Sequence, residues 1–206
     1  MVAVSSKDHI MNVAERLFSQ QGLEGTSVRY ICETAGVNVA MISYYFGSKE
    51  GLFEALVESK VAFMKSRLAE LVVDKDLLPI EKIYQVIEGF VNGFFERRAF
   101  HLTIQREISM VQRPQMHDKI IEILIGNARF VKQIILEGIR LKHFRETDVE
   151  MTVGTLFGSI NQALWNEEMC RMLCNENEAF KPFEDPRFRI RLIDHLKQLM
   201  DAYLKP

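Results

Sequence analysis

The sequence predicts an all-α protein, on three observations. Apolar residues recur three and four positions apart along almost the whole chain, which is the period of a helix with one buried face. No segment shows the apolar–polar alternation of a half-buried strand. Ser, Asn, Asp, Gly and Pro, which begin or end helices, fall between the periodic segments.

Three short helices are expected first. Gly22 ends the first, and Thr26 or Ser27 can accept backbone N–H bonds at the start of the second. Gly36 supplies a left-handed turn residue, and Asn38 can cap a third helix. Because helices this short are unstable alone, they must pack together as a small domain. The first helix places five apolar side chains on one stripe: Ile10, Val13, Ala14, Leu17 and Phe18.

Longer helices follow. Ser48 caps the fourth, Thr147 with Glu150 forms a capping box, and Asp185-Pro186 provides a cap and a first-turn proline. The stretch "CNENEAFKPFEDP" is expected to be a loop. The expected ranges are 48–72, 79–98, 101–114, 115–143, 147–174 and 187–204.

The composition is that of a globular protein. The chain has 206 residues, 48% hydrophobic and 26% charged, which excludes a disordered class. It contains no signal peptide pattern and no 18-residue apolar run, so no membrane partner is expected. Three cysteines, Cys32, Cys170 and Cys174, form neither a disulfide framework nor a metal-site pattern, which favours a cytoplasmic location. The net charge of −2 indicates no particular partner, so any nucleic-acid surface must be local.

Two short helices joined by Ala-Gly-Val predict a helix-turn-helix, whose second helix characteristically enters the DNA major groove. Ile42 and Phe46 would hold that helix from behind. Tyr44 and Tyr45 could donate hydroxyl hydrogen bonds to phosphate, and Lys49 would add charge at the next helix start. Side chains available to base edges or sugars are Asn38, Val39, Ala40, Met41 and Ser43. The same spacing also fits an ordinary turn between two core helices.

The segment "GTSVRYICETAGVNVAMISYYFGSKEGLFEAL", residues 25–56, resembles the N-terminal signature of the tetracycline-repressor (TetR/AcrR) family of bacterial transcription regulators. The matching features are the Thr-Ser-Val start, Ile-x-x-x-Ala-Gly-Val, an aromatic pair ending in Phe, and Ser-Lys-Glu-x-Leu. The rest of the chain matches only in architecture. The resemblance implies an N-terminal three-helix DNA-binding domain, residues 1–47, followed by a larger helical effector-binding and dimerisation domain, residues 48–206.

The resemblance also implies DNA contacts from Thr26, Ser27 and Arg29, besides the recognition helix and Lys49. Ser43 stands where the family commonly has tyrosine, which removes one contact. With Val39 and Ala40 after the turn, base readout should be more apolar, as in contacts to thymine methyl groups.

A homodimer is expected, because a helix-turn-helix usually reads two half-sites. Gly154 and Gly158 lie one turn apart and would let another helix approach closely. Packing within the chain is an equally good explanation for any one apolar residue. The predicted interface is Val153, Gly154, Phe157, Gly158, Leu192, Leu196, Leu199 and Tyr203.

The middle of the chain could hold an unidentified small apolar effector. Interior glycines at 89 and 93 suggest close packing or a shaped void, although aromatic stripes are more often plain core. The predicted lining is Phe90, Phe94, Met110, Phe130, Phe157, Asn161 and Trp165.

The sequence therefore predicts a DNA-binding regulator, a ligand-responsive repressor that binds a palindromic double-stranded operator as a homodimer. Phosphate-binding glycine loops, Ser-His-Asp settings and metal-ligand spacings are missing from the sequence, so no enzyme activity, cofactor or metal is expected. The alternative is a helical small-molecule-binding or protein-interaction domain with a non-functional helix-turn-helix.

Overall fold

A computed structural model describes residues 6–110, 112–174 and 180–206, and of residues 163–165 the backbone alone. These residues form helices and connecting turns with no strand, which confirms the all-α prediction. Within the described ranges, no helix is both long and apolar enough to cross a bilayer. The helices are α1 (Ser6–Gln21), α2 (Val28–Ala35), α3 (Ala40–Phe46), α4 (Lys49–Val73), α5 (Pro79–Glu96), α6 (Arg98–Met110), α7 (Pro114–Arg140), α8 (Val149–Trp165), α9 (Glu167–Leu173) and α10 (Pro186–Leu204).

Contacts divide the chain into two compact units. Unit 1 consists of residues 1–63 and 97–125, and unit 2 consists of residues 64–96 and 126–206. The predicted boundary between residues 47 and 48 separates a DNA-binding domain from an effector-binding domain by function. The two contact units do not test it, so it stays a prediction.

Unit 1 has a core that joins α1, α4 and α6. Phe18 meets Phe53 edge-on with ring centroids 5.6 Å apart, and Phe53 lies 5.8 Å from Phe100. The hydroxyl of Thr103 donates to the carbonyl oxygen of Phe18 at 3.2 Å. The apolar stripe predicted on α1 is buried throughout. This core is the support on which α2 and α3 are mounted.

Unit 2 is built around α5, which packs on α10 and on α8. Phe90 of α5 meets Phe157 of α8 edge-on, with centroids 4.8 Å apart. Lys82 is buried and donates to the Glu137 carboxylate at 2.8 Å, so its charge is compensated inside the unit. The hydroxyl of Tyr84 donates to Asp201 at 2.5 Å, which ties α5 to α10.

Two predicted helix features near α8 are wrong. The cap is Asp148, whose carboxylate accepts from the backbone N–H of Met151 at 3.0 Å. The Thr147 hydroxyl instead donates to the Tyr203 hydroxyl, so the capping box does not form. The expected single helix to Cys174 is interrupted at Asn166, which is extended and caps α9 with its side chain, as Asn often does. Of the predicted loop at 174–186, residues 175–179 lie outside the described part of the chain.

Candidate DNA-binding surface

The second helix begins and ends as its sequence predicts. Ser27 is the N-cap of α2, and its hydroxyl oxygen accepts from the backbone N–H of Tyr30 at 3.1 Å. Gly36 follows the helix with φ 65° and ψ 33°, the left-handed conformation that L side chains rarely adopt. The N–H of Val37 then donates to the carbonyl oxygen of Cys32 at 3.0 Å, which closes the turn. Val37 packs partly buried against the unit 1 core, so the turn between α2 and α3 is fixed.

The third helix presents a polar and small-residue face to solvent. Asn38 precedes it, and the side-chain oxygen of Asn38 accepts from the backbone N–H of Ala40 at 2.8 Å. Ile42 is 1% exposed and anchors the helix in the core, while Met41 is half-buried beside it. The predicted contact residues that are exposed on and before α3 are Asn38, Val39, Ala40, Ser43 and Tyr44.

The consecutive aromatic residues of α3 point in different directions. Tyr44 is 82% exposed, whereas Tyr45 and Phe46 are half-buried and pack against the unit 1 core. The Tyr44 and Tyr45 rings meet edge-on, with centroids 5.0 Å apart. Tyr44 is therefore a large hydrogen-bonding side chain held on the surface by a neighbour fixed in the core.

Two predicted contact residues are engaged inside unit 1. Thr26 is fully buried, and its hydroxyl donates to the carbonyl oxygen of Gly22 at 2.8 Å. Lys49 is half-buried, and its ammonium donates to the carbonyl oxygen of Leu23 at 2.8 Å. Both side chains fasten the loop between α1 and α2.

The exposed surface of α2 and α3 carries little free positive charge. Arg29 is the only Lys or Arg between residues 28 and 46, and its guanidinium pairs with Glu33 at 2.9 Å on the same helix. Both side chains are well exposed, so solvent weakens this pair. A phosphate group approaching this surface would therefore meet mainly hydroxyl and backbone donors.

Three further residues of this surface were missed by the sequence reasoning. Tyr30 and Thr34 lie exposed one turn apart on α2, and the Thr34 hydroxyl donates to the carbonyl oxygen of Tyr30. Lys7 of α1 is exposed, with its ammonium 5.8 Å from the ring centre of Phe46 at the end of α3. The period of α2 could have identified the first two, whereas Lys7 reaches this surface only through the fold.

An ion-pair cluster around Arg113 borders the α1–α2 loop. Arg113 pairs with Glu24 of that loop, with Glu50 of α4 at 3.5 Å, and with Glu107 of α6 at 3.0 Å. Glu107 is buried, and burial raises the pKa of its carboxyl, while the Arg113 guanidinium opposes that rise. One guanidinium thus joins three elements of unit 1.

The predicted effector residues are only partly brought together. Phe90 and Phe157 are in contact, and Phe94 is buried in unit 2. Phe130 and Asn161 are half-buried in the same unit. Met110 belongs to unit 1 and is largely exposed, and the side chain of Trp165 lies outside the described part of the chain.

The predicted interface residues fall into three groups. Val153, Leu192 and Leu196 are buried within the chain itself, because α8 and α10 pack within unit 2. Gly154 and Gly158 are exposed, and a Cβ built at either glycine meets no described atom within 4 Å. Among the rest, Phe157 contacts Phe90, Leu199 is half-buried and Tyr203 is exposed.

A surface groove of about 510 Å³ runs along the exposed face of α10. It is lined by Arg187, Ile190, Arg191, Asp194, His195 and Gln198. Among the described residues, no three His, Cys, Asp or Glu side chains are grouped closely enough to hold a metal ion.

Comparison with known proteins identifies the N-terminal segment. Residues 10–56 match the family of bacterial regulatory proteins, tetR family. The probable HTH-type transcriptional regulator YttP of Bacillus subtilis (strain 168) is 59% identical over 54 residues, which are 26% of each chain. The HTH-type transcriptional repressor NicS of Pseudomonas putida is 28% identical over 148 residues, which are 71% of this chain and 69% of NicS.

The whole fold is similar to solved regulators. The Bacillus subtilis regulator FadR, in complex with stearoyl-CoA, superposes with a TM-score of 0.75 at 22% identity, covering 93% of this chain and 96% of FadR. The matched segment of residues 10–56 contains the buried supports of α1, the turn at Gly36, and the exposed face of α3. Residues 10–56 therefore belong to the tetR family of bacterial regulatory proteins, and this segment contains the helix-turn-helix.

Proposed function

We propose that this protein is a transcriptional regulator of the TetR/AcrR family, a ligand-responsive repressor that binds a palindromic operator in double-stranded DNA as a homodimer. The observation that carries the proposal is the exposed face of α3, with small and polar side chains outside and the fully buried Ile42 behind. A rigidly supported helix of this kind fits the major groove of B-DNA. The repressor NicS, matched over most of its length, favours repression over activation.

In this proposal the residues of the surface have different roles. Asn38 and Ser43 donate or accept hydrogen bonds at base edges or sugars, and Val39 with Ala40 contacts thymine methyl groups. Tyr44 donates its hydroxyl to a phosphate oxygen. Ser27 and Arg29 at the start of α2, and Met41 and Tyr45 at the edge of α3, complete the contact surface.

Thr26 and Lys49 act indirectly. Their hydrogen bonds to the α1–α2 loop hold α2 and α4 in place, so they position the contact surface rather than touch DNA in the conformation described here. The Arg29 guanidinium can leave Glu33 and bind a phosphate instead. An exposed ion pair between residues four apart on a helix contributes only about a few tenths of a kcal/mol to stability.

The exposed faces of α8 and α10 are the proposed dimer interface. On α8, Met151, Gly154 and Gly158 lie on one stripe, and the open space above both glycines lets a partner helix approach closely. On α10, Arg191 and Asp194 lie on the exposed face, where a two-fold axis would bring each close to the opposite charge. Leu192 and Leu196 are buried within the chain, so the α10 side of the proposed interface consists of exposed residues beside them, such as Arg191 and Asp194, together with Leu199 and Tyr203.

The effector is proposed to bind in unit 2 beside Phe90 and Phe157. Gly93 lies one turn beyond Phe90, and a Cβ built there meets no described atom within 4 Å. A largely apolar molecule fits this setting. Because FadR was solved with stearoyl-CoA, long-chain acyl compounds belong in the first panel of test ligands. To release DNA, the effector must bind best to a dimer whose two helix-turn-helix segments are spaced differently from the spacing that the operator binds.

The protein is proposed to act in the cytoplasm and to catalyse no reaction. The rival function is a helical ligand-binding or protein-interaction domain whose helix-turn-helix no longer binds DNA. The limited positive charge of α2 and α3 is the observation that favours the rival.

Selection of binding sites from random-sequence DNA separates the two functions. A repressor dimer should enrich an inverted repeat with half-site centres about 34 Å, or a multiple of that distance, apart. Light scattering of the complex should give two protein chains per site or a multiple of two. Ligand binding without any enrichment would contradict the proposal and favour the rival.

A further inference from the structure

The end of α9 places two cysteines one helical turn apart. Cys170 is 8% exposed, and Cys174 is half-buried as the C-cap residue. The backbone N–H of Cys174 donates to the carbonyl oxygen of Cys170 at 3.0 Å. Neither cysteine is part of a disulfide. The function proposed above makes no use of this pair.

The sulfur of Cys174 accepts hydrogen bonds from two donors. The Cys170 thiol is hydrogen-bonded to it, and the guanidinium Nη1 of Arg191 on α10 donates to it at 3.8 Å. Cys174 is more accessible than Cys170, and it is the sulfur beside the Arg191 guanidinium. A dissolved oxidant therefore reaches Cys174 first.

Cys170 has the opposite character. Burial, and then the neighbouring Cys174, raise the pKa of its thiol to about 11, so it stays protonated. A protonated thiol in contact with a reactive sulfur can serve as the resolving partner once that sulfur is oxidised.

We propose that Cys174 and Cys170 form a hydroperoxide-sensitive thiol pair. The Cys174 thiolate attacks the terminal oxygen of a hydroperoxide, the O–O bond breaks, and Cys174 becomes a sulfenic acid while an alkoxide or hydroxide leaves and takes up a proton. The Cys170 sulfur then attacks the Cys174 sulfur, and the hydroxyl group leaves with the Cys170 proton as water. Overall, one hydroperoxide and two thiols give one alcohol or water, one disulfide and one further water.

Closing this disulfide must change the end of α9. Residues four apart on a helix have Cβ atoms about 5–6 Å apart, whereas a disulfide needs about 3.5–4.5 Å. The last turn of α9 must therefore distort, and the Cys174 sulfur that accepts the Arg191 hydrogen bond moves. Because Arg191 lines the groove on α10, oxidation changes the charge environment of that face. A strained bridge of this kind is easily reduced, so the change is reversible.

Thiol counting and peptide mapping of the full chain after hydrogen peroxide treatment test the pair. Wild type should fall from three free thiols to one, with an internal bridge between residues 170 and 174, and a thiol reductant should restore both. Cys32 is the internal control, because it is buried in unit 1 and burial raises the pKa of its thiol. The Cys32→Ser variant should behave as wild type.

Two single variants assign the roles. Cys170→Ser should stop at a sulfenic acid on Cys174 that dimedone traps, and Cys174→Ser should resist oxidation at Cys170. Arg191→Gln, which also changes the proposed dimer interface, should slow oxidation of Cys174 without changing the fold of the chain, as circular dichroism checks. Equal oxidation of all three cysteines, bridges only between chains, or a Cys174→Ser variant as reactive as wild type would overturn the proposal. These readouts do not require DNA, so they stand or fall independently of the proposed repressor function.

Discussion

Tyr44 shows how a single exposed side chain can be held ready for a partner. Its ring is supported by the edge of Tyr45, which packs in turn on the unit 1 core, so the hydroxyl is presented to solvent in a defined place. Less of its conformational freedom remains to be lost on binding. The three consecutive aromatic residues thus divide into one exposed side chain, Tyr44, and two half-buried ones, Tyr45 and Phe46.

Replacement of Tyr44 by Ala should weaken operator binding without unfolding the protein. A hydrogen bond to a charged group contributes about 1.5 kcal/mol, and a dimer would lose two, which corresponds to a roughly 100-fold loss of affinity. Tyr44→Phe, which removes only the hydroxyl, should show most of the loss. Fluorescence anisotropy with labelled operator measures affinity, and thermal melting checks the fold. Wild-type affinity in both variants would remove Tyr44 from the contact surface.

Gly36 is required for its backbone conformation and not for space. Gly36→Ala should lower the free energy of unfolding by about 1–2 kcal/mol, because a Cβ disfavours the left-handed region. Gly93→Ala is the matched control, since its site is equally open but helical, and it should raise stability by up to about 1 kcal/mol. Urea unfolding midpoints compare the two. A harmless Gly36→Ala would mean that the turn relaxes easily.

At the level of elements, local sequence patterns predicted most helix starts. Ser27, Ser48 and Asp185 accept backbone N–H bonds as expected, because a cap needs only a side-chain acceptor next to its helix. The pattern failed at Thr147 because Asp148 beside it is an equally good acceptor, and a distant tyrosine engages the threonine hydroxyl. The capping residue can be predicted where only one side-chain acceptor precedes the helix. Where two such residues are adjacent, the sequence does not decide between them.

Arg113 connects elements that are far apart in sequence. Its replacement should lower the free energy of unfolding most at high pH. Arg113→Gln leaves the buried Glu107 carboxylate without its main counter-charge, at a cost of about 1–3 kcal/mol. Burial already raises the pKa of Glu107, so the native state binds this proton more tightly than the unfolded state, and ionisation lowers stability as pH rises. The variant's deficit should therefore be larger at pH 8 than at pH 5.

Urea unfolding of Arg113→Gln and wild type at both pH values measures this deficit. The double variant Arg113→Gln with Glu107→Gln is the control, because it removes the buried charge as well, and its deficit should depend less on pH. A deficit in the single variant that is the same at both pH values would show that Glu107 is not the group left uncompensated.

For the whole molecule, the sequence predicted which side chains of α3 are exposed better than it predicted the contacts that hold them in place. Residues 38–44 are consecutive, so helical geometry alone separates Ile42 from its exposed neighbours. The roles of Lys49, Thr26 and Lys7 depend on contacts made across the fold, which local pattern cannot supply. Local pattern also could not show that Leu192 and Leu196 are buried within the chain and not in a dimer interface. An apolar stripe on a helix does not specify which other helix covers it.

Gly158→Leu should impair dimerisation while leaving each chain folded. The site is open within the chain, so a leucine fits the monomer but would collide with a closely packed partner helix. Gly158→Ala should have a smaller effect in the same direction. Sedimentation or light scattering over a range of concentrations gives the dissociation constant. A dimer unaffected by leucine would place the interface elsewhere.

Direct binding measurements test whether two copies of α3 read DNA. Purified protein should be titrated against the DNA upstream of its own gene and against a scrambled fragment of the same length, at several salt concentrations. We expect selective binding that weakens with salt as phosphate contacts displace counterions, and loss of selectivity in Tyr44→Ala. If neither that fragment nor any sequence selected from random DNA is bound above the scrambled control, α3 is not a DNA-reading helix.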